Sequence, residues 1–486
     1  MKLASLLSDY PLLQVSGEVP NQISGFSADS NKIRPGYLYV CIRGEKNDGH
    51  RYAEDAIRKG AQIIVAEQPL MTSVPVILVS STRDFLSFIA DRFYGRPSRR
   101  LNIAGITGTN GKTTTAHYLY QIYREAGIQA AMMGTAGVKT GDYYARQSLT
   151  TPGAEELHKT LWQLAGSGVC AVAMEVSSHA LVQKRVEHCS FDTAVFTNLS
   201  REHLDYHGTM EQYFQAKCHL FYLLKNTENA RSVINIDDKR AERLKQMAPG
   251  TVWTYGIQKD ADVRALDIQR LYGGGSLVRT QTPFGSLSLV IRLHGLYNVY
   301  NALAAAAAAL AEGISPADVV AGVESLQHVP GRLELLPSPP GIRVYLDYAH
   351  TPDGLGKVLQ AVNEYPHNKI ILVFGCRGSR DMGKRPQMGQ IAEMFADKII
   401  LTSDNPAEED PYTIAQDIAS LMKKKVVIFT DREQAVHYAL RIAREGDIVL
   451  ITGKGREDYQ LVGENTLPYS DMQAVASYLG ESAKLQ

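Results

Sequence analysis

Cysteine is scarce in this chain. There are five (Cys41, Cys170, Cys189, Cys218, Cys376), scattered, odd in number and without a Cys-x-x-Cys pair. That argues against a disulfide framework or a zinc site and fits a reducing compartment. An excess of either charge is also missing, since 51 basic residues face 51 acidic ones. A broad nucleic-acid or membrane-surface role has no electrostatic basis, and only a local basic pocket is left open. The longest apolar run lies in "NALAAAAAALAEG", too short to span a bilayer and made of helix formers. The N-terminal "MKLASLLSDYPLLQ" lacks the apolar core and cleavage site of a signal peptide. A soluble, cytoplasmic protein is expected, and there is no 20–50-residue repeat.

What is present points to three α/β units. A chain of 486 residues is too long for one core, and domains of about 100–200 residues predict three. Two stretches read as linkers, "YGRPSRR" (94–100) and "LQHVPGR" (326–332). The expected domains are therefore 1–99, 100–330 and 331–486. Just before the second linker, "SPADVV" announces a helix: Ser315 can cap it, Pro316 suits its first position and Asp318 its first turn. Apolar strand-like runs ("NIAGITG", "VCAVAMEVSS", "FDTAVFTNLS", then "RVYLDYAH", "KIILVFGC", "KIILTSDN", "KVVIFTD", "DIVLITGKG") alternate with helical stretches. That alternation predicts parallel sheets. In the last segment no Gly-x-Gly-x-x-Gly follows the first strand, so a dinucleotide reading lacks its fingerprint. Polar residues do cluster at strand C-terminal ends there: Asp347/His350, Arg377/Arg380, Asp404/Asn405 and Lys454/Glu457. Ligands bind at that edge of open parallel sheets.

The strongest chemical signal is "GITGTNGKTTT" (105–115). Gly108 and Gly111 let backbone N–H groups close around phosphate oxygens, with Thr109 and Asn110 between them. Lys112 supplies a cation, and Thr113 or Thr114 can hold Mg²⁺. The pattern departs from a full Walker A loop because Ile106 stands where the first glycine would fall. The plain alternative is a Gly-rich turn with an incidental lysine. Glu175, at the end of "VCAVAME", is placed to bind a metal near such a loop. Taken alone, His203 reads as a loop histidine and Lys217 as a solvated helix residue.

"GTNGKTTT", "MEVSSHAL", "FTNLSREHLDYHG", "HGLYNVYNALAA", "VPGRLE", "DYAHTPDGL", "GCRGSRDMGKRP", "DNPAEEDP" and "GKGREDYQ" occur in this order. Together they closely resemble the Mur ligases, MurE type, over about residues 23–475. The resemblance implies a three-domain architecture: a UDP-binding unit, a central P-loop domain with a parallel sheet, and a Rossmann-like C-terminal domain. It implies a monomer that uses ATP and Mg²⁺ and adds an amino acid to UDP-N-acetylmuramoyl-L-alanyl-D-glutamate through an acyl phosphate. Peptidoglycan precursor synthesis is the implied setting.

Site residues follow from the same resemblance. Ser30 and the 44–50 loop are expected at the UDP end, although many relatives carry arginine where this chain has Asn31. Thr150, Thr151, Ser177, Gln183 and Arg185 match positions that contact the muramoyl-peptide nucleotide. His294, Asn298 and Asn301 match the adenine-side motif, with helix capping as the alternative for the two asparagines, and Arg332 and Asp347 face the nucleotide near a hinge. Lys112 neutralises phosphate, while Thr113, Glu175 and His203 hold metal. Lys217 matches a lysine that CO₂ carbamylates into an anionic metal ligand (N6-carboxylysine).

Arg380 matches the arginine that holds the incoming α-carboxylate, and Asp404, Asn405, Ala407, Gly453 and Glu457 complete the amino-acid pocket. Members that add meso-diaminopimelate read Asp-Asn-Pro-Arg, the arginine gripping the distal carboxylate; this chain reads Asp-Asn-Pro-Ala, as the L-lysine-adding members do. Lysine is therefore the expected added residue, with meso-diaminopimelate or another amino acid as the alternative. Arg456, where relatives commonly have histidine or a small residue, either refills the clamp or faces solvent. Glu408, Glu409 and Asp410 read as a solvated acidic helix start. A folylpolyglutamate synthase shares the chemistry but not these motifs, a ligase of specialised peptide synthesis stays open, and a non-enzymatic sensor is disfavoured by Lys112, Glu175, His203 and Lys217 all being present.

Overall fold

Three large sheets follow one another along the chain in this computed structural model, with a two-stranded hairpin of Tyr459–Val462 and Asn465–Pro468 besides; the structure describes residues 1–44, 47–147, 149–224, 229–272 and 274–484. The first has five strands in the order Gln14–Ser16, Val76–Leu78, Ala61–Ala66, Tyr37–Val40, Gly25–Ser27. All pair in parallel except the antiparallel Gln14–Ser16 edge. Leu38, Val40, Ile63, Val65 and Ile77 pack one face against Phe85 and Ile89 of helix Thr82–Phe93.

The second sheet has eleven strands. At its centre Asn102–Thr107 lies between Ala171–Glu175 and Thr193–Phe196, parallel to both. Ala171–Glu175 is buried at every position, because helices cover both faces and leave no side for alternation. Helices Lys112–Glu125 and Leu296–Ala311 cover one face, Ala154–Gly166 and Met210–Tyr222 the other. The alanine run Ala304–Ala309 is buried where helices Leu296–Ala311 and Lys112–Glu125 pack; small side chains let two backbones approach closely there. Three further strands, Val263–Arg270, Ser276–Thr282 and Gly285–Ile291, extend the sheet as an antiparallel meander.

The third sheet has six strands in the order Glu334–Leu336, Arg343–Asp347, Ile448–Thr452, Ile370–Phe374, Lys398–Thr402, Val427–Phe429. Only the Glu334–Leu336 edge is antiparallel. The divisions proposed at about 100 and 330 fall between the sheets. The helix expected after Ser315 forms as Pro316–Ser325, its cap accepting a bond from the Asp318 N–H at 3.2 Å. Among the described residues no helix is long and apolar enough to cross a membrane.

The C-terminal strand ends of the second and third sheets meet. Asn110 Nδ2 donates to Asp353 Oδ2 at 2.8 Å, and His350 Nε2 lies 2.7 Å from Glu202 Oε1. The loops singled out from the sequence therefore face one another across this junction.

Candidate active site

The phosphate loop leaves strand Asn102–Thr107 and enters helix Lys112–Glu125. Gly111 has φ +90°, and a Cβ there would stand 2.3 Å from Asn301 Oδ1, so glycine is required by both backbone and space. The loop is held by the segment after Phe196. Thr109 N donates to Asn198 O at 2.9 Å and Asn110 N to Asn198 Oδ1 at 3.0 Å. Lys112 folds back over the loop, with Nζ 2.9 Å from the carbonyl oxygens of Gly108 and Thr109. Burial lowers its pKa, against the pull of Glu175 and Glu202. A polyanion arriving at this loop favours the charged form of Lys112.

Glu175 is a hub. It accepts from Thr113 Oγ1 at 3.0 Å and from Thr135 N at 2.8 Å. A Cβ on Gly134 would lie 2.0 Å from Glu175 Oε1. Thr135 Oγ1 in turn stands 2.9 Å from Thr150 Oγ1, and Thr151 Oγ1 donates to the Glu175 carbonyl at 3.0 Å. Arg185 donates to the Thr151 carbonyl at 2.8 Å and to Gln183 Oε1 at 2.6 Å, while Ser177 caps helix Ser178–Val182. The structure thus brings Thr150, Thr151, Ser177, Gln183 and Arg185 together beside Glu175. Ser30 stands apart, buried in the short turn Ser30–Lys32 of the first unit. Residues 45 and 46 of the expected 44–50 contact loop lie outside the described residues.

Glu202, His203 and Lys217 form the floor. Burial opposes ionisation of Glu202, but His203, His350 and Lys384 outweigh it and hold the carboxyl well below its usual range. Burial pushes His203 down to about 3, so its imidazole is neutral with a lone pair to offer. Lys217 is not a solvated helix residue: it is 1% exposed, with Nζ 4.3 Å from the Tyr213 ring centroid. Burial first and Lys112 second drive its pKa well down. Among the described residues no three His, Cys, Asp or Glu side chains stand together as a metal cage. The hydroxyl of Thr113 and the carboxylate of Glu175 nevertheless offer the hard oxygens that suit Mg²⁺.

A cavity of about 380 Å³ opens beside the loop, lined by Asn110, Gly111, Tyr255, Tyr300, Asn301, Arg332 and Asp347 among others. Asp237 shapes its wall, accepting from the N–H groups of Ile257, Gln258 and Lys259 at 2.7–2.9 Å and from Tyr300 OH at 2.8 Å. Asn301 reaches the cavity. Asn298 and His294 stand behind it: Asn298 Nδ2 donates to the His294 carbonyl at 2.7 Å, and Asn301 Nδ2 to Asn298 Oδ1 at 2.9 Å. Asp347 accepts from the Leu333 and Ala349 N–H groups at 2.7 Å each, fixing the chain beside Arg332.

Asp404 and Lys454 are fully buried, and Asn405 and Glu457 join them. Lys454 Nζ donates to Asn405 Oδ1 at 2.9 Å and to Glu457 Oε2 at 3.2 Å. Gly453, at φ +111°, turns the chain next to Asp404, whose Oδ2 would be 2.8 Å from a Cβ there. Ala407 sits at φ +51° and donates its N–H to the Leu461 carbonyl. Arg380 lies apart from this cluster, half exposed and 3.6 Å from Asp205 of the second unit. Arg456 neither refills the space at 407 nor faces solvent alone, because its Nε donates to Glu334 Oε2 at 2.9 Å. The acidic helix start is only partly solvated. Asp410 caps helix Pro411–Ala419, whereas Glu409 pairs with the buried Arg385 at 2.8 Å.

Each sheet-bearing unit matches a domain of one family: the Mur ligase catalytic domain over 22–94, the Mur ligase middle domain over 106–309 and the glutamate ligase domain over 331–455. The chain is 44% identical over 483 residues, 98% of both chains, to a UDP-N-acetylmuramoyl-L-alanyl-D-glutamate–2,6-diaminopimelate ligase of Geobacillus kaustophilus. The chain belongs to the Mur ligase family, MurE type. It is an ATP-dependent ligase. A Listeria innocua protein of the same name is 42% identical over 477 residues, 97% of both chains. A solved structure of a ligase with that name aligns over 99% of both chains at 31% identity, with a TM-score of 0.67.

Sequence reasoning missed several residues of this Mur ligase site. Asn198, Glu202 and Tyr300 lie within quoted motifs and Asp237 just past the end of strand Arg231–Asn235, which was the available signal. Arg377 was visible as part of a polar strand end and of the motif "GCRGSRDMGKRP", without a role.

Proposed function

We propose that this ligase adds meso-diaminopimelate to UDP-N-acetylmuramoyl-L-alanyl-D-glutamate, with ATP cleaved to ADP and phosphate, in peptidoglycan precursor synthesis. The observation that carries the reading is the facing pair of sites. A phosphate loop beside Glu175, Glu202 and Lys217 looks across the junction at the Asp404–Glu457 cluster. Support for the amino acid comes from relatives 42–44% identical along nearly the whole chain that are named for 2,6-diaminopimelate. The lysine expectation rested on Ala407, in the Asp-Asn-Pro-Ala reading shared with the lysine-adding members. The names of these relatives favour its alternative, meso-diaminopimelate.

In the proposed reaction the D-glutamate side-chain carboxylate attacks the γ-phosphorus, ADP departs, and an acyl phosphate forms. The amine of the incoming amino acid then attacks the acyl carbon, and the tetrahedral intermediate expels phosphate. Two anions must meet in the first step, so charge neutralisation outweighs acid–base work. Lys112 and Arg332 bring positive charge to the phosphates. The loop amides orient them, and closure of the third unit excludes water. Thr113, Glu175, His203 and a carbamylated Lys217 would hold Mg²⁺, which supplies further neutralisation when bound. The depressed pKa of Lys217 favours the unprotonated amine, the form that adds to CO₂. His294, Asn298, Asn301 and Asp347 position the adenine side, and Ser30 with Thr150, Thr151, Ser177, Gln183 and Arg185 positions the muramoyl-peptide nucleotide.

Ala407 favours one second reading, L-lysine as the added residue. Phosphate release with the muramoyl-dipeptide nucleotide, ATP and a panel of amino acids separates the two. Turnover with meso-diaminopimelate and little with lysine is expected. Lysine turnover alone would overturn the assignment of the amino acid, and no turnover with any amino acid would overturn the reaction.

A further inference from the structure

We infer that Arg377 is the specificity-determining residue of the amino-acid site: its guanidinium, with Glu457 and Asp404 beside it, reads the distal zwitterionic head of the incoming diamino acid. The inference rests on the proposed diaminopimelate reading.

Position comes first. Arg377 follows strand Ile370–Phe374, and its loop touches the 405–407 loop: Gly378 N donates to Asn405 O at 3.0 Å, and a Cβ on Gly378 would stand 1.8 Å from Pro406 O. Arg377 Nη2 lies 2.5 Å from Glu457 Oε1 and 3.3 Å from Tyr348 OH. Glu457 also accepts from Asn405 Nδ2 at 3.2 Å. The guanidinium is therefore built into the same cluster as the loop that ends at the bare methyl of Ala407.

Unfinished hydrogen bonding comes second. Among the described residues both carboxylate oxygens of Asp404 and the Nε of Arg377 are buried without a hydrogen-bond partner. Asp404 Oδ1 stands 3.7 Å from Arg377 Nε and 3.8 Å from Lys454 Nζ, attractive distances that are too long for hydrogen bonds. Buried polar groups are nearly always satisfied. Asp404 and Arg377 Nε are enclosed, so the carboxylate holds the guanidinium from behind and leaves its exposed edge for a ligand carboxylate.

Elimination comes third. The other arginines near the pocket are engaged elsewhere: Arg146 on Asp458, Arg332 on Thr113, Arg456 on Glu334, Arg380 toward Asp205, Arg385 on Glu409 and Asp417, and Arg432 on Asp471. Lys454 is fully enclosed and bonded to Asn405 and Glu457. Arg377 keeps 22% of its side chain exposed, so it is the cation of the cluster that a ligand reaches. A guanidinium has five N–H donors and can serve Glu457 and an arriving carboxylate at once. Lysine ends in an ammonium with no carboxylate, so it leaves the remaining donors of Arg377 without an acceptor.

The test compares kcat/KM for meso-diaminopimelate and for L-lysine at saturating ATP and nucleotide, in wild type, Arg377→Met, Arg377→Lys and, as a control, Arg456→Met. Arg377→Met is expected to lower the diaminopimelate-to-lysine ratio about 10- to 100-fold through the KM for diaminopimelate, with the KM for ATP unchanged. Arg377→Lys keeps a charge beside Asp404 and so guards the fold, but lacks the planar fork; a smaller shift in the same direction is expected. Arg456→Met should leave the ratio alone. If wild type uses diaminopimelate and both Arg377 variants keep its ratio within about twofold, or lose both substrates equally, Arg377 is only a brace and the inference fails. If wild type uses lysine and not diaminopimelate, the inference falls together with the amino-acid assignment, a result distinct from the first.

Discussion

Arg332 Nη2 donates to Thr113 Oγ1 at 2.9 Å, joining residues 219 positions apart across the junction of the second and third units. The guanidinium also lies 4.8 Å from the Tyr348 ring centroid, so it is braced from the third unit while it touches the phosphate loop. In the proposed reading, contact between the two units and nucleotide binding share this one side chain. Arg332→Met is expected to raise the KM for ATP by about tenfold or more, the loss of a charge-assisted bond, with the KM for the amino acid nearly unchanged. Steady-state kinetics varying each substrate in turn checks this, and an equal rise in all three constants would contradict it.

Carbamylation of Lys217 predicts a dependence on dissolved CO₂. Enzyme stripped of CO₂ should lose most of its activity and regain it on addition of bicarbonate, with a ¹³C carbamate resonance appearing in parallel. Lys217→Ala is expected to lower kcat by about 10²–10³-fold, the usual cost of removing one charge-stabilising group. Full activity in that variant would exclude the modification.

Acid should weaken the fold before it reaches the carboxylates. Burial holds His117, His158 and His203 at about 3, and His179 and His207 at about 4. All are neutral in the folded protein at neutral pH. Below the ordinary histidine value of about 6.5 the unfolded chain takes up protons that the folded chain refuses. Their contribution is thus complete above that value and drains away as pH falls toward 4. For the fully enclosed His117 and His158 the slope approaches about 1.4 kcal/mol per pH unit each. Thermal midpoints measured from pH 7.5 to 5 should fall steadily, and His117→Gln/His158→Gln should flatten the fall whatever its midpoint at pH 7.5.

Much of the fold was legible because parallel strands buried on both faces are continuous apolar runs. Ala171–Glu175, Ile370–Phe374 and Ile448–Thr452 are buried at every position and stand out in the sequence. The meander Val263–Arg270 to Gly285–Ile291 was not read, because it exposes many residues and Val263–Arg270 breaks its alternation at a bulge between Ala265 and Asp267. In the site, the phosphate loop was readable because its chemistry is local. The partners that define its charge are not local: Glu175, Arg332 and Glu202 meet it only through folding. The state of Lys217 depends on burial, which no residue near it in sequence announces. The role of residue 407 was read as the absence of a cation, when Arg377 stands on the next loop.

Arg432 is fully enclosed and forms a two-point pair with Asp471 at 2.7 and 2.9 Å. It also donates to the main-chain oxygens of Ser403 at 3.1 Å and Thr452 at 2.8 Å. Those two oxygens immediately precede Asp404 and Gly453, so both amino-acid loops hang from one bracket. The bracket grips backbone and never the side chains that meet a substrate. Residue 407 can therefore be exchanged while the scaffold that presents it stays put. A lineage built this way is free to trade one cross-linking amino acid for another by a few surface substitutions, with no refolding of the domain that carries them.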